Sequence, residues 1–369
     1  MGGPEEQEPL RGVIWLPSSS PPLLLPISLL NLLSQGFLIF HDMPKPPAIS
    51  IITPVWNGIP YLRECVDSAM SQEFQNWELL ISDNGSTDGT RDYLDSLSDP
   101  RIRVFKQEKN LGIFGNLNFL FSQAKAPFAQ ILCADDQFTD NGSLGKIMDF
   151  WNHAPEPTSF ARMNWIAEKY PKPYFRMMRE SLLQTYSAHN AFLVYYCFGN
   201  VMGNLTNATL RTDVARRHLL FDQSYPYAGD HEFWLRAARK FQFTFINEKL
   251  TCVRSHSDQA SNYLNKNGQL PRETFLIADL CIKAEDKIAN TNGFRMHFTA
   301  CIYGSQMQAE LSRMLKSRNF SRYVEFERTA ELTGHCFIFP FRFTIGILTS
   351  LFTSIRFRIA HGFLGSLLS

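Results

Sequence analysis

From Ala48 onward, short apolar runs alternate with amphipathic stretches. Ala48 to Val55 is β-branched and apolar and reads as a strand. Pro60 stands at the first turn of a helix, with Tyr61, Leu62, Cys65, Val66, Ala69 and Met70 at helical spacing after it. Trp77 to Ser82 is a second strand and Arg101 to Lys106 a third. Asn116 to Ala124 is a helix, and Pro127 to Ala134 a strand that ends against Asp135-Asp136. Strand, helix and strand in this order imply a parallel, buried sheet, and such sheets bind ligands beyond the carboxyl ends of their strands. Two of those ends are Thr53-Pro54-Val55-Trp56-Asn57 and Asp83-Asn84-Gly85-Ser86.

The residues at these ends have both a ligand-binding and a purely structural reading. Asp83 can accept from a base N–H while Asn84, Gly85 and Ser86 let the backbone approach a ribose or diphosphate; alternatively the turn is an Asx turn opening a helix. Asp135 and Asp136 can hold Mg²⁺ or Mn²⁺ together with substrate phosphates, or form a turn. In Tyr227 to Phe241, Asp230 starts a helix whose Phe233, Trp234 and Ala237 face inward; it is either an N-cap or a base fixed by a helix N-terminus.

The ordered set of these pieces, from about Ala48 to Ser261, resembles the family 2 glycosyltransferases, inverting enzymes of the GT-A fold. The set comprises the Thr-Pro-Val-Trp-Asn strand, Asp83 to Thr90, Asn110-Leu111-Gly112 with Asn116 and Asn118, Asp135-Asp136, Phe221-Asp222, Gly229 to Arg236, and Val253-Arg254-Ser255-His256. The resemblance implies an α/β, Rossmann-like, mostly parallel sheet flanked by helices, with a helical C-terminal extension. It places Thr53, Pro54, Asn57, Asp83, Asn84 and Ser86 in the nucleotide pocket, with Asp135 near the ribose or metal. Asp136 becomes the main metal ligand and Asp230 the base that deprotonates the acceptor. Arg254 and His256 fall near the diphosphate or the metal. The implied partners are a nucleotide-diphosphate sugar, with UDP the favoured nucleotide, a glycan or lipid-linked acceptor, Mg²⁺ or Mn²⁺, and a second copy of the chain. Where the family usually shows Glu-Asp, this chain has Gly229-Asp230.

Composition fits an enzyme of this kind. At 369 residues and 44% apolar, the chain can bury one large core with an appended region. A net charge of +1 gives no broad attraction to nucleic acid. Seven scattered cysteines without a Cys-x-x-Cys pair argue for a reducing compartment and against a zinc site. The expected location is cytoplasmic, with a peripheral position on the inner face of a membrane as the extension of that view.

The expected organisation is an extension over 1–42, a catalytic domain over 43–265 and a helical region over 266–369. Met43 is read as the biological start, because Met43-Pro44-Lys45-Pro46-Pro47 leads directly into the first strand; the alternatives are an anchor over Leu23 to Phe40, weakened by Pro26, Asn31, Gln35 and Gly36, and a disordered tail. Asn141 to Tyr225 is expected to shape the acceptor site, with Trp151, Trp165, Tyr170, Tyr174, Phe175 and Tyr186 divided between sugar stacking and core, and Asn200, Asn204 and Asn207 as polar contacts. Phe275 to Ile288 and Phe298 to Leu315 carry helical patterns. From Cys336 the chain is strongly apolar with Arg342, Arg356 and Arg358 interspersed, which suits either a helix in a membrane interface or one packed on protein. Two other functions are compatible with parts of the pattern. A nucleotidyltransferase would need a phosphate loop that Val55-Trp56-Asn57-Gly58 does not supply, and an inactive relative is disfavoured by Asp136 and Asp230.

Overall fold

The computed structural model describes residues 45–164, 177, 182–256, 259, 269–283, 292–318 and 320–368. Trp165, Tyr170, Tyr174, Phe175, the 1–42 extension and the boundary at 265 lie outside the described residues. Residues 46–369 form one compact unit.

The chain opens as the alternation predicts. Strand β1 (Ile49–Val55), helix α1 (Ile59–Met70), β2 (Trp77–Asp83), α2 (Thr90–Asp95), β3 (Ile102–Lys106), α3 (Gly112–Gln123) and β4 (Phe128–Ile131) follow in order. In the eight-stranded sheet they lie β3-β2-β1-β4, all parallel. Side-chain alternation sorts the core: Ile49, Ile51 and Ile81 join α1 on one face, while Ile52 and Leu80 join α3 on the other. β1 and β2 are buried along their length, as a central parallel strand requires. Their register pairs Val55 with Asp83, so the two exits sit side by side.

The sheet then becomes mixed. β6 (Thr158–Arg162), β7 (Thr185–Tyr186), β8 (Ala208–Arg211) and β9 (Gln242–Phe245) extend it in the order β4-β8-β6-β9-β7, with β8 antiparallel to both neighbours. A separate pair, β5 (Gln137–Phe138) with β10 (Thr251–Cys252), runs antiparallel and brings the segment after Asp136 against the segment before Arg254. Helices α4 (Ser143–His153), α5 (Asn190–Phe198) and α6 (Gly229–Lys240) complete the layers. Trp151 is core, stacked on Phe128 with its indole N–H donated to Thr209, and Tyr186 is buried as well.

Two expectations need adjusting. The fourth strand stops at Ile131, short of Asp135, because the Cys133 N–H turns to the Thr206 hydroxyl and the Asp136 N–H to the Cys133 carbonyl. The apolar C-terminal stretch is two helices bent by 107°, α11 (Phe341–Leu351) and α12 (Thr353–Leu368). They follow α7 (Gln269–Lys283), α8 (Asn292–His297), a π-turn (Phe298–Tyr303), α9 (Gly304–Ser317) and α10 (Phe320–Leu332). α12 packs on α5, with Phe357 against Phe198 and Phe363 against Tyr196. α11 packs on α9 and the π-turn but leaves Phe341, Leu348 and Leu351 exposed. Among the described residues no single helix is long and apolar enough to cross a membrane, although α11 and α12 pass that test as a bent pair.

Candidate active site

The strand exits are tied into one loop platform by their own side chains. Asn57, with a left-handed φ of 48°, donates its N–H to Ser86 Oγ at 2.8 Å and accepts the Thr87 N–H on Oδ1 at 2.8 Å. The Asn84 N–H reaches the Val55 carbonyl at 2.8 Å. Its side chain accepts the Leu111 N–H and donates to Asn110 Oδ1, which links the β2 exit to the start of α3. Asn116 Nδ2 donates to the Ser82 carbonyl at 2.9 Å, and the Asn118 amide exchanges two hydrogen bonds with the backbone of Phe221. The Asn110 to Asn118 stretch and Phe221 thus share a structural duty. Gly58 is required by space, since a Cβ there would lie 2.6 Å from Val55 Cγ2.

Asp83 is fully buried. Its carboxylate accepts the Ser86 N–H at 3.1 Å and the Arg91 guanidinium at 2.7 Å. Thr53 is buried beneath the platform, with a hydroxyl that finds no protein partner.

Past β4, the two adjacent acids diverge. Asp136 turns inward, 1% exposed, and accepts from the Thr206 hydroxyl and the Arg254 N–H. Burial, then the neighbouring Asp135 carboxylate, push its carboxyl up to about 7. Asp135 turns outward with its side chain 30% exposed, and its Oδ2 lies 3.1 Å from His256 Nε2. The His256 ring stacks on Tyr61 at 4.2 Å between centroids. Arg254 is held by protein: it bonds the Asp135 carbonyl, pairs with Glu64 and lies 5.1 Å above the Tyr61 ring. The Cys133 thiol and the two carboxylates offer ligand atoms within 4.8 Å of one another. Burial raises the Cys133 thiol well above its ordinary range, which leaves the carboxylates and His256 as the donors suited to a hard cation.

Asp230 sits in the first turn of α6, two residues past the N-cap position at Ala228. The capping duty falls to Glu273 of α7, whose Oε2 accepts the Tyr227 and Ala228 N–H groups. Asp230 is half-buried; it accepts from the His231 N–H at 2.7 Å and from Asn200 Nδ2 at 2.9 Å. Burial raises its carboxyl to about 6, against the pull of those two bonds.

One cavity of about 1560 Å³ joins these features. Pro54, Asn57, Asn84, Asp135, Asp230 and His256 line it. Ser86, Asp136 and Arg254 stand behind its wall, bonded to Asn57, Cys133 and Asp135, which form it; Asp83 stands one step further back on Ser86, and Thr53 lies in the strand beneath. Asn200, Asn204 and Asn207 also line the cavity, the first on Asp230 and the others bonded to Thr206 and Asn164. Thr206, Asn164, Glu273, Tyr195 and His231 were not singled out by sequence. Thr206, Asn164 and Tyr195 fall within the Asn141 to Tyr225 segment expected to shape the acceptor site, and His231 within the Gly229 to Arg236 stretch.

Residues 50–202 match the Glycosyl transferase family 2 model. An uncharacterized glycosyltransferase of Haemophilus influenzae is 27% identical over 228 residues, 60% of this chain and 70% of its own. The Escherichia coli enzyme WfgD, a UDP-Glc:α-D-GlcNAc-diphosphoundecaprenol β-1,3-glucosyltransferase, is 26% identical over 233 residues, 63% of this chain and 85% of its own. Staphylococcus aureus TarS, solved in complex with UDP-GlcNAc, superposes with a TM-score of 0.53 at 14% identity, over 86% of this chain and 91% of its own. A parallel sheet with a loop platform and an acid pair at its carboxyl edge, extended by antiparallel strands, is the GT-A fold. Residues 50–202 thus match glycosyltransferase family 2, and the protein is a glycosyltransferase.

Proposed function

We propose that the protein is an inverting, divalent-cation-dependent transferase that moves a sugar from a nucleotide diphosphate to an acceptor hydroxyl, with Asp230 as general base. The observation that carries this reading is that Asp230, with its carboxyl raised to about 6, shares one cavity with Asp135 and His256. A base poised just below neutral pH suits proton abstraction from a hydroxyl. As the acceptor oxygen bonds the anomeric carbon, the carbon–oxygen bond to the diphosphate breaks on the opposite face. The proton passes to Asp230, and one displacement inverts the configuration.

The nucleotide rests on Pro54, Asn57 and Asn84, with Thr53, Asp83 and Ser86 fixing that platform from behind. Asp135 and His256 would hold Mg²⁺ or Mn²⁺, with Asp136 and Arg254 anchoring their loop. The cation, when bound, would neutralise the leaving diphosphate. This division of labour gives Asp136 a positioning duty in place of the main ligand role that the resemblance implied, since both its oxygens already accept from protein. UDP as the nucleotide and a lipid-linked diphosphate as the acceptor anchor follow WfgD by analogy. A place on the cytoplasmic membrane surface is supported by the exposed Phe341, Leu348 and Leu351, and by the lack of any Asp or Glu from residue 333 to the end of the sequence.

The test is turnover of UDP-glucose, UDP-GlcNAc and GDP-mannose by the full chain with Mn²⁺, with the product anomer read by NMR. Asp230→Asn should abolish turnover and retain UDP binding. A retained anomeric configuration, or substantial turnover by Asp230→Asn, would overturn the mechanism.

A further inference from the structure

The cavity is larger than a donor site needs and changes character past Asp230. Ligand pockets commonly measure about 300–1,000 Å³, and this one is about 1560 Å³. Beyond the polar platform its wall includes Leu235 of α6, Ile277, Ala278 and Cys281 of α7, Ile302 of the π-turn and Ala360 of α12. Thr274, Ser305 and Gln306 interrupt this wall; against its apolar side chains a sugar hydroxyl gains nothing, because it would surrender hydrogen bonds to water. A hydrocarbon chain gains from every methylene it buries there.

Tyr195 and Tyr196 of α5 also belong to the wall. Both are buried cavity-wall residues, with hydroxyls that have no protein partner. Among the described residues, Asp135 and Asp230 are the only carboxylates on the cavity wall. Arg356 of α12 adds positive charge to the wall near Ala360. α12 therefore does two things: it lines the apolar part of the cavity, and it continues from α11, whose outer face is apolar and exposed.

We propose that this apolar arm holds the hydrocarbon chain of a polyprenyl-diphosphate-linked acceptor. The arm would seat the lipid end so that the sugar end meets Asp230, with the tyrosine hydroxyls and Arg356 along the polar linkage. The proposal rests on the reading of Asp230 as the base for an acceptor hydroxyl.

The full chain is titrated by calorimetry with geranyl, farnesyl and geranylgeranyl diphosphate below their micellar concentrations, and with inorganic diphosphate, all in chelator; UDP with Mn²⁺ is titrated separately. Affinity should rise at least tenfold from geranyl to geranylgeranyl diphosphate, with inorganic diphosphate weaker than all three. Ala278→Phe and Ala360→Phe, on two different helices of the arm, should each weaken geranylgeranyl diphosphate at least tenfold and leave UDP within twofold. UDP binding doubles as the check on folding; where a Phe variant fails it, Ala278→Val or Ala360→Val takes its place, with a threefold loss expected. Affinity independent of chain length would overturn the proposal, and so would a length dependence that no arm substitution alters, since that would place the chain on the outer face of α11. Wild-type protein that fails to bind UDP would overturn the donor site, whereas UDP binding without prenyl binding would overturn the arm alone.

Discussion

Asn200 Nδ2 donates to Asp230 Oδ2 at 2.9 Å, so the loop after α5 holds the carboxylate that α6 presents to the cavity. Burial raises that carboxyl to about 6, while the bonds from His231 N–H and Asn200 oppose the rise. A base works ionised, so kcat/KM should climb with pH through about 6 and then level. In Asn200→Leu the charged form loses a hydrogen bond of about 1.5–3 kcal/mol before solvent compensation, which should move that limb up by about one pH unit. Activity should fall about fivefold at pH 6 and about twofold at pH 7, and recover by pH 8.5. A limb that stays in place would remove Asn200 from this role.

Gly229 faces the ring of Phe114, and a Cβ there would sit 2.6 Å from Cε2. That contact explains why the acid the family usually carries before the base is missing here. Gly229→Ala should overpack the junction of α3 and α6 and cost about 1–3 kcal/mol, seen as a lower thermal midpoint. Phe114→Ala should relieve the clash, so that Gly229→Ala in that background costs much less. Equal costs in both backgrounds would show that the ring is not the obstacle.

The acid pair gives a second separation. Asp135→Ala should abolish Mn²⁺-dependent UDP binding with little change in thermal midpoint, because its side chain faces the cavity. Asp136→Ala should weaken UDP binding and also lower the midpoint by several degrees. It strips partners from the Thr206 hydroxyl and the Arg254 N–H, a loss of about 1–3 kcal/mol for each group left unsatisfied. A midpoint loss as large in Asp135→Ala would undo the distinction.

The parallel half of the fold is legible because its central strands β1 and β2 are buried on both faces and α1 carries a clear period. Residues distant in sequence were legible only as a resemblance. Asp135 and Asp136 look alike in the chain; what separates them is Thr206, brought in by the 3₁₀ turn Leu205–Asn207, and Arg254, brought in by the β5–β10 pairing. No local pattern announces either contact. Glu273 lies still further from the turn whose N–H groups it accepts, so the Tyr227 to Phe241 stretch alone leaves Asp230 open between an N-cap and a base. The C-terminal pattern is apolar on both sides of Phe352 and hides the bend there, where α11 ends and α12, with Phe357, Ala360, Phe363 and Leu364 buried, begins.

The exposed face of α11 should decide membrane association. Phe341→Glu, Leu348→Glu and Leu351→Glu together place three carboxylates on that face and leave the packing on α9 intact. The triple variant should no longer sediment with vesicles containing anionic lipid, while UDP binding persists. These substitutions are preferable to truncation, because α12 is packed on α5 beside the cavity. Unchanged sedimentation would assign α11 to another partner.

Asp230 should also cost stability where it serves catalysis. Its carboxyl is raised to about 6 in the folded chain and titrates near 3.9 when unfolded. The sign follows: the protonated form favours the fold, that advantage is complete below about 4, and it is lost as pH rises through about 6. At pH 7.5 the folded chain therefore carries a charge it holds poorly. Asp230→Asn removes the charge and keeps an oxygen for the His231 N–H. After allowance for the carboxyl's partial contact with water, the gain should be about 1–2 kcal/mol at pH 7.5 and near zero at pH 4. Denaturant midpoints of the two proteins at both pH values provide the measurement. If Asp230→Asn is no more stable at pH 7.5, the residue is not the strained, raised carboxylate that a general base in this cavity requires.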